Sequence, residues 1–140
     1  MIELIAAAAL AAQAETPAAS ELGELKAYLI SNRTGQFSED ISPPESGGHW
    51  NRVIEGDDIV IMQEIRTTGE QYIERPLRIV ARVGRRILAQ RTYRGILTTD
   101  EGRAYQHLII PDSTCAGDIQ VTVTYGTQTL TETLQMRCGE

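Results

Sequence analysis

The 140-residue sequence has two histidines, two cysteines, one tryptophan and one phenylalanine. Each scarcity excludes something. His49 and His107 match no zinc-ligand spacing with the cysteines, so no metal site is expected. No G-x-S-x-G elbow, phosphate-binding glycine loop or H-E-x-x-H pair is present, so no catalytic residue and no cofactor is expected. Aromatic residues make up 5% of the chain, which leaves the core to Ile, Leu and Val. No apolar run approaches the ~20 residues that a membrane-spanning helix needs. No long segment repeats its apolar residues every 3.6 positions, and that argues against helices.

What is present begins with an address. "MIELIAAAALAAQAE" carries an apolar run from Leu4 to Ala12, then Ala12-Gln13-Ala14, the small-residue pattern that precedes a signal-peptidase cut. Residues 1–14 are read as a signal peptide cleaved after Ala14, although Glu3 stands where a basic residue is usual. A periplasmic or secreted protein follows. Residues 15–24 read as a loose lead-in, and residues 25–140 as one domain with a long loop at 32–49, rich in Ser, Gly, Pro and acid.

Short β-type runs recur between turn residues: "ELKAYLIS" (with a short helix as competitor), "DDIVIMQEI", "PLRIVARV", "RILAQRTY" and "AYQHLII". The last is followed by "CAGDIQVTVTYGTQTLTETLQMRC", which reads as a hairpin around Gly126-Thr127, a two-residue loop suited to a type II′ turn. If Tyr125 faces Gln128, facing residues have numbers that sum to 253. Ile119, Val121, Val123, Tyr125, Leu130, Leu134 and Met136 then share one face, with Glu132 the exception. The same register opposes Cys115 to Cys138 on the core side, where Cβ atoms lie roughly 4.5–5.5 Å apart across a strand pair. A structural disulfide is expected rather than a C-x-x-C-type redox pair or a metal site, and it agrees with export. The expected fold is an all-β, single antiparallel β-sandwich of about seven strands, its C-terminal hairpin stapled by the disulfide.

"GILTTDEGRAYQHLIIPDSTCAGDIQVTVTYG" resembles the middle-to-late strands of bacterial immunoglobulin-like domains. It shares a Gly-bearing turn, a strand ending in an apolar pair and Pro, a polar turn with Gly, and an alternating strand. The resemblance implies an immunoglobulin-like fold and carries no functional residues. It departs from antibody domains, because the cysteines join neighbouring strands of one hairpin and Trp50 does not lie between them.

Charge supplies the strongest functional signal. Residues 75–94 contain seven arginines and no acid. Residues 15–74 carry twelve acids against four bases, a net of −8, and residues 75–140 carry nine bases against six acids, a net of +3. Alternation in "PLRIVARV" projects Arg78 and Arg82 from the outer sheet face, with Arg85 and Arg86 at the adjoining turn. These four form a candidate binding surface for an anionic sugar, a lipid headgroup or an acidic envelope protein, since the guanidinium fork pairs bidentately with carboxylate or phosphate. The competing reading pairs them with acids of "DDIVIMQEI" in cross-strand ladders. His49 and Trp50 form a second candidate surface, able to stack on a sugar or peptide. A nucleic-acid partner is not expected from an acidic, exported chain. The acids of "EGDDI" and "TTDEG" suit calcium by type, but turns are rich in Asp and Gly for backbone reasons alone.

Overall fold

The computed structural model describes residues 20–43 and 57–136. Among them there is no helix, and so none long and apolar enough to cross a membrane. Within the described residues, nine strands form three antiparallel sheets: β1 (Glu21–Ile30), β2 (Asp58–Arg66), β3 (Tyr72–Ile73), β4 (Leu77–Val83), β5 (Arg86–Tyr93), β6 (Ile96–Leu97), β7 (Arg103–Ile110), β8 (Gly117–Tyr125) and β9 (Gln128–Met136). One sheet has the order β1-β2-β7, another β5-β4-β8-β9, and β3 pairs with β6 alone.

Alternation explains most of this. In β4, Leu77, Ile79 and Ala81 are buried while Arg78 and Arg82 are exposed. In β8, Ile119, Val121, Val123 and Tyr125 are buried, and β9 returns Leu134 and Met136 to the same side. The hairpin register holds without slippage from Tyr125↔Gln128 to Gly117↔Met136, every pair summing to 253 as expected. Gly126, at φ 58°, supplies the left-handed residue that its tight turn needs. β2 departs from alternation because Val60 is also buried on its outer side, between Tyr28 and Ile109 of the flanking strands. Side chains from both large sheets enter one core, among them Ile61, Ile65, Leu77, Ile79, Val121 and Leu108. Tyr125 is fully buried, and its hydroxyl bonds Ser20 Oγ at 2.6 Å.

Several expectations need correction. "ELKAYLIS" lies in a strand as expected, but β1 begins earlier, at Glu21, inside the stretch read as lead-in. Part of the expected loop at 32–49 is not loose. After a turn at 31–36, Phe37 bridges Ile30 and the Ile41 N–H donates to Ala27 O at 2.8 Å, which sends the Ile41 side chain into the core. Runs of two residues show no period, and β3 and β6 are therefore invisible to pattern reading. Cys115 is exposed and lies in the turn before β8, not on the core side of the hairpin. The strand geometry that would have turned it inward ends at Gly117, whose φ of +92° breaks the alternation. Cys138, His49 and Trp50 lie outside the described residues.

Candidate functional site

The sheet β5-β4-β8-β9 presents a polar outer face. Along β8 and β9, Thr124 faces Thr129, Thr122 faces Thr131, and Gln120 faces Thr133. Beside them on β4 stand Arg78, opposite Thr124 and Thr92, and Arg82, opposite Gln120 and Ile87. Two positions of equal parity, four residues apart on a strand, are separated by about 13 Å. One Arg78 Nη donates to Gln90 Oε1 at 2.8 Å, which fixes that guanidinium on the face. Gly84, at φ 58°, turns the chain from β4 to β5, so Arg85 and Arg86 extend the positive charge past Arg82.

The ladder reading of these arginines fails. Acid-bearing β2 belongs to the other sheet, and the cross-strand neighbours of Arg78 and Arg82 are Thr, Gln and Ile. The ion pairs among the described residues are Lys26–Glu24, Arg66–Glu64 and Arg103–Glu64, and none involves an arginine of 75–94. Nor do the seven share one face. The Arg75 guanidinium packs over the Tyr125 ring, 5.1 Å from its centroid, and Arg91 packs over Tyr93 at 4.3 Å.

His107, on the outer side of β7, sits at the seam with β5. Its Nε2 lies 3.4 Å from Arg91 Nη1, and its main chain bonds the Tyr93 hydroxyl through O at 2.6 Å and N at 3.4 Å. Of the acids weighed for calcium, two act on the backbone: Asp57 accepts from Asn32 N at 3.2 Å and Asp58 from Asp112 N at 3.1 Å, while Glu55 lies outside the described residues. Among the described residues no cluster of three ligating side chains could hold a metal ion. A groove of about 350 Å³ runs between β1 and β9, lined by Glu24, Lys26, Asp40, Ser42 and Glu132. Glu132, the exception in the hairpin's apolar set, reaches solvent there. Asp40 is already engaged, accepting from Ala27 N and Ser42 N at 3.0 Å each.

One charged centre escaped pattern reading. Glu64 is buried on the outer face of β2 with its Oε1 2.6 Å from Arg66 Nε and 4.0 Å from Arg103 Nε. Gly23 leaves the space it needs, since a Cβ there would lie 2.9 Å from the Glu64 carboxyl carbon. The hydrogen bond from Arg66 outweighs the cost of burial and holds the Glu64 pKa below its ordinary 4.5. A carboxylate with a lowered folded-state pKa stabilises fully above the unfolded value, and that contribution is lost as pH falls through the folded one. Both arginines are half exposed, so Glu64→Gln should cost only about 1 kcal/mol at neutral pH. The gap between variant and parent should close below pH 4.5. Urea midpoints at pH 7 and pH 3 check this, and equal gaps at both would contradict it.

No protein-family model and no curated protein matches the chain. Among solved structures it is similar to the ligand-binding region of serine-glutamate repeat protein A (SgrA) of Enterococcus faecium, with a TM-score of 0.34 and 9% identity. The match covers 55% of this chain and 76% of that one.

Proposed function

We propose that the chain is a small exported, non-catalytic binding or accessory module of the cell envelope, an immunoglobulin-like β-sandwich whose contact surface takes an anionic ligand. The carrying observation is the pair Arg78 and Arg82, exposed on one sheet face, without an ion pair among the described residues, and set among Thr and Gln side chains with Val80 between them and Ile87 beside Arg82. Guanidinium forks suit carboxylates, and the flanking hydroxyls and amides suit sugar hydroxyls. An acidic polysaccharide fits this surface better than a lipid, for which the face offers little apolar area.

The sandwich reading draws support from the shared core and from strand order. Lettering the seven long strands A to G in chain order gives A-B-E in one sheet and D-C-F-G in the other. That is the immunoglobulin arrangement with the fourth strand moved across. For the staple, the support is in the sequence, whose two cysteines bracket the hairpin.

Binding is tested with polygalacturonate as the acidic polymer and dextran as the neutral one, before and after charge reversal at Arg78 and Arg82. Preference for vesicles of anionic lipid over the polymer would replace the sugar by a membrane surface. Export and staple are tested together by intact mass from the native host. A chain beginning at Glu15, two hydrogens lighter before reduction, is expected; a full-length chain with two free thiols would overturn both.

A further inference from the structure

The two large sheets end in four edge strands, β1, β7, β5 and β9, and an unprotected edge is a template for another strand. Two of them are attended to by the chain itself. Along β1, residues 37–41 satisfy the backbone: Ser38 N donates to Leu29 O and Ile41 N to Ala27 O, while Ser38 Oγ and Asp40 Oδ1 accept from Leu29 N and Ala27 N. On β7 the Tyr93 hydroxyl occupies both main-chain groups of His107. The Gln128 side chain, at the start of β9, serves β1 again, accepting from Leu22 N and donating to Ser20 O.

β5 differs. Every residue of it is at least partly exposed, and among the described residues no strand pairs with its outer edge, which meets β7 only through the Tyr93 and Arg91 side chains at His107. Its register with β4 is continuous from Ala81↔Ala89 to Leu77↔Tyr93, a regular five-residue stretch beyond the irregularity near Arg82. Arg85 and Arg86 precede that stretch, Arg91 lies within it and Arg94 follows it, with no acid among them. β9, in contrast, carries no base and one acid, Glu132. Like charge keeps two β5 edges apart, so a second copy of this chain is a poor occupant. The same charge attracts a strand of opposite sign, and that is how one edge refuses some partners and admits others.

We propose that the β5 edge receives an acidic extended segment of a partner protein as a fifth strand of the sheet. Main-chain hydrogen bonds to Ala89–Tyr93 would hold it, and carboxylates pairing with these arginines would select it. This goes beyond the polysaccharide reading, since it uses the edge of the sheet and not its face.

The test uses the full mature chain and a blocked eight-residue peptide of alternating Glu and Val. Its counterparts are the Lys–Val peptide and two N-methylated versions, one for each alternate set of amides. The Glu–Val peptide should bind and slow amide exchange at alternate residues of Ala89–Tyr93 at least tenfold. The Lys–Val peptide should not bind, and one N-methylated version should bind at least tenfold more weakly. Arg91→Glu with Arg94→Glu should reverse the Glu-over-Lys preference. Arg78→Glu with Arg82→Glu should change peptide affinity by no more than about threefold at 0.15 M salt, where the Debye length is about 8 Å. That variant pair therefore separates failure at the edge from failure at the face. Absence of binding, equal binding of both N-methylated peptides, or protection confined to Thr122 and Thr131 would overturn the proposal.

Discussion

Charge reversal at Arg78 and Arg82 together is expected to weaken polygalacturonate binding at least ~100-fold at 0.15 M salt while leaving the fold intact. Each guanidinium–carboxylate contact contributes about 1.5–3 kcal/mol, and about 1.4 kcal/mol corresponds to a factor of ten. Two lost contacts and two new repulsions therefore reach that loss comfortably. Stability should move by no more than about 0.5 kcal/mol, because both side chains are exposed and no cross-strand acid is left behind. Arg→Lys at the same positions separates charge from shape: it keeps the charge and loses the fork, and about tenfold weaker binding is expected. Titration calorimetry with the acidic polymer, and with dextran as control, reads both. Unchanged affinity in the reversed protein would remove the sheet face from the function.

Gly102→Ala is expected to destabilise by about 3 kcal/mol or more, against about 1 kcal/mol for Gly84→Ala. Both glycines hold φ in the left-handed region, +80° at Gly102 and +58° at Gly84, so an L side chain is strained at each. The difference lies in the space around them. A Cβ at Gly84 meets nothing within 4 Å, whereas one at Gly102 would overlap the Thr67 carbonyl oxygen. Moving that carbonyl means moving the loop that receives the Thr67 N–H on Gly102 O at 2.7 Å. Thr98 is tied to the same loop through Gly69 O and Gln71 N, so the disturbance reaches the β3–β6 pair. Urea midpoints of the two variants measure the difference, and similar values for both would mean that backbone strain alone sets the cost.

How legible this was depends on the length of each signal. β8 and β9 alternate over nine residues, and there both the strands and the register were readable; β4 was readable as a strand, although Val80 is buried on its outer side. One turn assignment at Gly126-Thr127 was enough to place every facing pair of the last hairpin. β3 and β6 were not readable, because two residues have no period. Sheet membership was not readable either. Period two says which side chains share a face, but not which strand lies alongside, and the acids of β2 were therefore available on paper to arginines that the fold places in another sheet. The turn acids Asp57 and Asp58 were rightly suspected of backbone work. Glu64 was overlooked because its partner Arg103 is adjacent only once β7 pairs with β2.

The Ser20–Tyr125 hydroxyl contact and the two bonds from Gln128 to Ser20 and Leu22 join positions 105 to 108 residues apart. Their consequence is one of timing. The strand synthesised first cannot complete its contacts until the hairpin synthesised last has emerged, and distant pairings of this kind are slow to form. Portions of the chain that end before Gly117 lack β8 and β9, which supply Ile119, Val121, Val123, Tyr125, Leu134 and Met136 to the core. A polypeptide built this way stays open while it is being made, which is the condition in which a chain can be threaded across a membrane before it folds.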